Sequence, residues 1–315
     1  MRRVRRAVVW LAAAAALLVA VLLAATRTGE RAGALSNWQA LVLGLVQGLT
    51  ELLPISSSGH LILVPWLGDW RYLQANDRFN QTFDVGLHLG TLLAVVVYFR
   101  RDVSTLTRAW LVSVRRRAIA TPEERVAWLV AVATVPAAIV GALGETLIAD
   151  NLGEPWQIAI LLAVFGVVLY VADRRPAHRG IADLGLRTAI GIGFAQSLAL
   201  APGVSRSGIT ISMGRFLGLD RDAAARFSFL LLIPITLGAV LYKGLTDVVL
   251  GDLPAGTTGP FIVGSIASTV SGIAAISGLL GYVRRHDYTV FVLYRLLVAA
   301  AVLLLIAAGV REAGF

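Results

Sequence analysis

The sequence predicts an all-α polytopic membrane protein, because 57% of its 315 residues are hydrophobic, only 15% are charged, and apolar stretches of spanning length recur along the whole chain. Its mean hydropathy of +0.77 exceeds what a water-soluble domain can hide. The stretches fall at about 7–26, 36–55, 83–99, 126–144, 156–172, 186–200, 226–242, 260–282 and 288–310. Most reach the roughly 17 to 25 residues that a helix needs to cross the hydrocarbon layer. A membrane barrel would show alternating segments of about ten residues, and none is visible. The absence of cysteine excludes disulfides, thiolate metal sites and cysteine nucleophiles.

Taken in order, Met1 to Ala25 carries Arg2, Arg3, Arg5 and Arg6 ahead of an apolar run, the pattern of a signal segment or a retained first span. The length of the run favours a retained span, and residues 1–35 read as an N-terminal extension without a catalytic part. Residues 36–315 read as one membrane domain. Within it, the regions 36–67 and 186–215 are interrupted by helix breakers, Pro54 with Gly59 in the first and Pro202 with Gly203 in the second.

The basic residues set the sides. Segments 1–6, 100–125, 173–187, 215–226 and 284–285 hold 20 of the 28 Lys and Arg residues and are assigned to the cytoplasm; the outward segments hold six. Arg206 and Arg295 lie inside apolar sequence. The basic excess therefore follows topology, which argues against a nucleic-acid partner despite a net charge of +9. Arg115, Arg116 and Arg117 are expected against anionic lipid head groups.

This assignment holds only if residues 36–67 dip in from outside and return, and residues 186–215 do so from the cytoplasm. Each is predicted to be a re-entrant helical hairpin, and irregular backbone at that depth survives only where protein or trapped water satisfies it. The two regions resemble each other at an offset of 149 residues: Gly44 with Gly193, Gln47 with Gln196, Ser56 with Ser205, Ser58 with Ser207, Gly59 with Gly208. One copy entering from each face gives an inverted repeat, about 36–145 and 186–310, whose broken tips meet near mid-membrane.

The chemistry-bearing residues gather in these breaks. Gln47 and Glu51 are four apart on one helix face, and a carboxylate within a span normally faces a partner or a wet cavity. Ser56, Ser57 and Ser58, followed by Gly59 and His60, could supply hydroxyls, backbone donors and an imidazole, or simply cap the next helix. In the second hairpin, Gly203 and Gly208 permit close backbone approach, Ser205 and Ser207 donate, and Arg206 adds a planar cation whose fork fits phosphate oxygens. That set is an anion site in physical terms; the plainer alternative is an Arg206–Glu51 pair that only ties two hairpins together. A lone histidine in a span, His88, reads as a packing or hydrogen-bonding group. Arg295 is read as a phosphate or carboxylate partner, or as a cation snorkelling to the inner face.

Gln47 to Glu51 matches a (Glu/Gln)-x-x-x-Glu motif and Pro202 to Thr210 a Pro-Gly-x-Ser-Arg-Ser-x-x-Thr motif. On these, and on the serine-rich loop Ser56 to His60, the chain resembles the bacterial undecaprenyl-diphosphate phosphatases of the bacitracin-resistance family from about Trp38 to Leu305. The resemblance implies removal of the terminal phosphate of undecaprenyl diphosphate, returning the monophosphate carrier lipid to cell-wall synthesis, with a divalent metal such as Mg2+ or Ca2+. Glutamine at 47 removes one carboxylate that could bind it.

On this reading Glu51 is the metal ligand and Arg206 spreads charge on the breaking diphosphate. His60 is the base or nucleophile, with Ser57 the alternative nucleophile. Gln47, Ser58, Gly203, Ser205, Ser207 and Thr210 hold the substrate. The expected setting is a bacterial plasma membrane, with the site open to the extracytoplasmic side, a polyprenyl diphosphate and membrane lipids as partners, and a homodimer left open. The rival reading from another class is a secondary transporter or flippase for a lipid phosphate or small anion, since inverted repeats with broken helices are that class's architecture.

Overall fold

A computed structural model describes residues 35–70, 73, 77–249 and 257–314. The expected first span lies outside them. The described chain is all helix, with no strand and a single isolated bridge between Arg179 and Leu219.

Helix α1 (Asn37–Leu52) opens on a capping box in which Ser36 and Gln39 satisfy each other's backbone amides. It stops because the residue before a proline is pushed out of the helical region, and Leu53 is extended ahead of Pro54. Helix α2 (Ser57–Gly68) returns, and α3 (Asp77–Tyr98) follows. Helix α4 (Arg100–Arg116) buries only Ser113 and exposes Trp110, Leu111 and Val114 beside its arginines, the two-faced pattern of a helix lying at an interface. Helix α5 (Pro122–Asn151) starts with proline in its first turn behind a Thr121–Glu124 capping box, and α6 (Pro155–Asp173) packs against the last helix, Thr289–Ala307.

The second broken region repeats the first. Helix α7 (Leu186–Ser197) runs through a 3-10 turn into Ala201, which is extended ahead of Pro202 as Leu53 is ahead of Pro54. Helix α8 (Arg206–Phe216) returns, followed by α9 (Arg221–Lys243), α10 (Thr258–Val283) and α11 (Thr289–Ala307). Six helices among the described residues are long and apolar enough to cross a membrane: α3, α5, α6, α9, α10 and α11. At 16 and 12 residues, α1 and α7 are shorter than a crossing requires.

Both short helices are held by glycine contacts. A Cβ on Gly44 of α1 would lie 2.3 Å from the Gly264 carbonyl of α10, and one on Gly48 2.0 Å from Ser271 Oγ. A Cβ on Gly193 of α7 would lie 2.7 Å from the Ala133 carbonyl of α5. Such backbone approach is the usual basis of helix association in lipid. The outer surface carries Leu143, Leu147, Val270, Leu297 and Leu304, each more than half exposed, as a lipid-facing surface does.

Candidate functional site between the two broken turns

The two breaks meet. Gly203 N donates to Ser56 Oγ at 3.1 Å and Ser207 Oγ to the Leu53 carbonyl at 2.9 Å, so each turn satisfies polar atoms of the other. Their backbones match: Ser56 has φ 75° and ψ 99°, Ser205 φ 75° and ψ 114°. Each serine caps the helix it precedes, with Oγ accepting from Gly59 N or Gly208 N. A serine at positive φ costs on the order of 1 kcal/mol or more and persists where its surroundings fix it. Two of the four non-glycine residues with positive φ among the described residues lie here.

Glu51, on the last turn of α1, is the hub. Its Oε1 accepts from Arg206 Nε and Nη2, both at 3.1 Å; its Oε2 accepts the Ser57 hydroxyl and lies 3.6 Å from His88 Nε2. Arg206 also donates through Nη1 to the Ser228 carbonyl at 2.8 Å. Glu51 is only 6% exposed, so this is a buried ion pair, and removing one partner from such a pair costs about 3–5 kcal/mol.

Beside it lies a cavity of about 220 Å3 lined both by polar residues, Glu51, Ser57, Ser58, Gln196, Ser205 and Arg206 among them, and by apolar ones that include Val85, Leu200 and Ile235. A larger cavity, about 360 Å3, sits over the Asp173–Arg221 ion pair. Asp173 there also pairs with Arg215 and accepts from Tyr288 N, which accounts for its polar lining as a structural network.

Of the residues singled out by sequence, Glu51, Ser57, Ser58, Ser205 and Arg206 line the smaller cavity. Gly203 and Ser207 stitch the turns together, and Thr210 Oγ1 donates to the Arg206 carbonyl and to Ser228 Oγ, behind Arg206. His60 is 4% exposed and does not line the cavity: its Nδ1 meets the Ser56 carbonyl at 2.6 Å and its Nε2 the Tyr294 hydroxyl at 2.8 Å. His88, read from sequence as a packing or hydrogen-bonding group, is the histidine on the cavity, with Nδ1 on the Asp84 carbonyl at 2.7 Å. Gln196 and Thr236 are polar lining residues to which sequence gave no role, although Gln196 was legible as the repeat mate of Gln47.

Among the described residues no group of three or more His, Asp or Glu side chains is placed to hold a metal ion, and the oxygen donors to be weighed are the Glu51 carboxylate and the Gln47 amide. Both side-chain polar atoms of Gln47 are buried without a partner among the described residues, one helical turn before Glu51. Oxygen donors of this kind are what Mg2+ and Ca2+ take.

Comparison with known proteins agrees with the geometry. A family model described as bacitracin resistance protein BacA matches residues 40–301. Relatives named undecaprenyl-diphosphatase include one from Pelotomaculum thermopropionicum, 45% identical over 88% of this chain and 99% of its own length. Another, from Geobacter sulfurreducens, is 47% identical over 84% and 96%, and one from Nocardioides is 46% identical over 87% and 98%.

Proposed function

The chain belongs to the bacitracin resistance protein BacA family and acts as an undecaprenyl-diphosphate phosphatase in a multi-pass membrane setting, and we propose that the cavity between the two broken turns is where it removes the terminal phosphate. The observation that carries this reading is the Glu51–Ser57–Arg206 cluster in the lining of a cavity to which apolar side chains also contribute. A polyprenyl diphosphate likewise combines a charged head with an apolar tail.

Ser57 Oγ attacks the terminal phosphorus while its proton passes to the Glu51 carboxylate, which already accepts that hydroxyl. The bond from phosphorus to the bridging oxygen breaks, and undecaprenyl phosphate leaves with the electron pair. Water then attacks the phosphoserine phosphorus, the bond to Ser57 Oγ breaks as that oxygen takes back the proton held on Glu51, and inorganic phosphate leaves with the water's oxygen and one of its protons, the other passing to solvent. Three of the five N–H groups of the Arg206 guanidinium are committed to Glu51 and Ser228, leaving two for the oxygens on which charge develops. This ordering prefers Ser57 to His60 as nucleophile, because both ring nitrogens of His60 are engaged away from the cavity. His60 instead braces the first turn. Ser58 and Ser205 contact phosphate oxygens; Gly203, Ser207 and Thr210 hold the frame.

Gln47 and Glu51 would hold Mg2+ or Ca2+. When bound, the cation would further spread the charge of the diphosphate.

Residues 36–315 form one membrane domain of two inverted repeats, about 36–145 and 186–310, each contributing a re-entrant hairpin, with the cavity opening to the extracytoplasmic side of a bacterial plasma membrane. The matching serine backbones support the paired repeats, as does the reciprocal packing of α1 on the second repeat's α10 and of α7 on the first repeat's α5; the basic-residue asymmetry of the sequence is what supports the side.

The test is phosphate release from undecaprenyl diphosphate by purified protein in detergent with Mg2+ or Ca2+ titrated in, using a label on the terminal phosphate. The wild-type chain should release it and, after rapid quenching, carry label on Ser57. No release above that of Arg206→Ala would remove the reading of the cavity; turnover by Ser57→Ala near the wild-type rate would remove Ser57 as the nucleophile.

A further inference from the structure

Arg295 of α11 is 0% exposed, so it neither snorkels to the inner face nor, among the described residues, pairs with a carboxylate. Every hydrogen bond of its guanidinium ends on a backbone carbonyl. Nη1 donates to Pro54 at 3.3 Å; Nη2 to Gly203 at 2.9 Å, Val204 at 3.1 Å and Leu161 at 3.4 Å; and Nε to Leu162 at 2.9 Å. Pro54 belongs to the first broken turn, Gly203 and Val204 to the second, and Leu161 and Leu162 to α6. One side chain thus fastens both turns to one spanning helix.

The physical need is plain. Turns at membrane depth leave carbonyls without helical partners, and in a dry setting each such group is costly. A guanidinium spreads five donors over three nitrogens in a planar fork and is more weakly hydrated than an ammonium, so it can reach several separated carbonyls where lysine has three donors on a single nitrogen. The neighbouring Tyr294 hydroxyl meets His60 Nε2 from the same helix, adding a second tie to the first turn.

We propose that Arg295 is a positioning residue for the hydrolysis: it sets the first turn against the second so that Ser57 and Arg206 meet the same phosphate, without itself touching substrate. This rests on the reading of the cavity given above. Misplacement of reacting groups by about 1 Å can cost on the order of 100-fold in rate, so the expected signature is kinetic and not only one of folding.

The experiment compares wild type, Arg295→Lys and Gly208→Ala as full-length proteins in detergent, measuring kcat, KM and thermal midpoint. The alanine methyl at 208 would lie 3.1 Å from Arg295 Nη1 and as close to Ser205 Cβ and Oγ, crowding the guanidinium against the second turn while keeping it, which preserves a test should the lysine variant not fold. The expected result is a kcat at least about tenfold lower for Arg295→Lys with KM within about threefold, and a smaller loss of the same kind for Gly208→Ala. Folded variants with wild-type kcat, whatever their midpoint, would overturn the proposal, and so would a rise in KM at constant kcat, which marks a direct headgroup contact. A wild-type chain that releases no phosphate would overturn the assignment of the cavity itself, a failure distinct from either.

Discussion

Arg206→Lys keeps a positive charge between the two turns and removes the fork that uses it. The guanidinium makes two bonds to Glu51 Oε1 at 3.1 Å and one to the Ser228 carbonyl at 2.8 Å, with two N–H groups left for phosphate. An ammonium on a single centre can keep the attraction to Glu51 but cannot also reach Ser228 and a phosphate oxygen. The bonds to Glu51 exist before substrate arrives, so their loss falls mainly on stability, at about 1.5–3 kcal/mol each for bonds to a charged group. The catalytic loss is that of a donor aimed at developing charge, about 2.7–4 kcal/mol or 10²–10³-fold. We therefore predict kcat/KM about 100-fold below wild type at saturating metal, read by phosphate release from undecaprenyl diphosphate in detergent and normalised to folded protein. A lysine variant within about tenfold of wild type would refute the reasoning, because a point charge would then serve as well as the fork.

Gly48→Ala should lower the yield of folded protein sharply, since the new methyl would lie 2.0 Å from Ser271 Oγ and 2.3 Å from the Ser268 carbonyl; overpacking typically costs about 1–3 kcal/mol and occasionally more. Gly238→Ala, with nothing within 4 Å of the added methyl, is the control, and equal thermal midpoints for the two would contradict the α1–α10 contact. Tyr294→Phe leaves His60 without its Nε2 partner, so stability should fall by about 1–3 kcal/mol in denaturant titration, with kcat within a few-fold because the Arg295 bonds still hold the first turn; unchanged stability would contradict the bracing role of His60.

The helices and their breaks were legible in the sequence because both have local causes. Apolar runs have the length of a bilayer, and Leu53 and Ala201 are driven out of the helix by the prolines that follow them. The meeting of the turns was legible from the 149-residue offset read together with the basic-residue asymmetry, and Arg206 does lie against Glu51. Less local facts were hidden. The His60 ring turns toward Tyr294, 234 residues away, and no spacing near residue 60 reports that. His88 reaches Glu51 only because α3 packs where it does. Arg295 binds carbonyls, which carry no side-chain signature in sequence. Thr210 was recoverable: a threonine inside a helix commonly turns its hydroxyl back to the carbonyl four residues earlier, as this one does to Arg206.

Central to the account is that residues from both turns act as one unit on one phosphate. A double-mutant cycle on kcat/KM with Glu51→Gln, Arg206→Lys and the pair together measures this directly. Groups that work as a unit are not additive, so the double variant should be little worse than the poorer single, with a coupling energy of about 2 kcal/mol or more. Losses that add to within about 0.5 kcal/mol, as for independent sites, would contradict it.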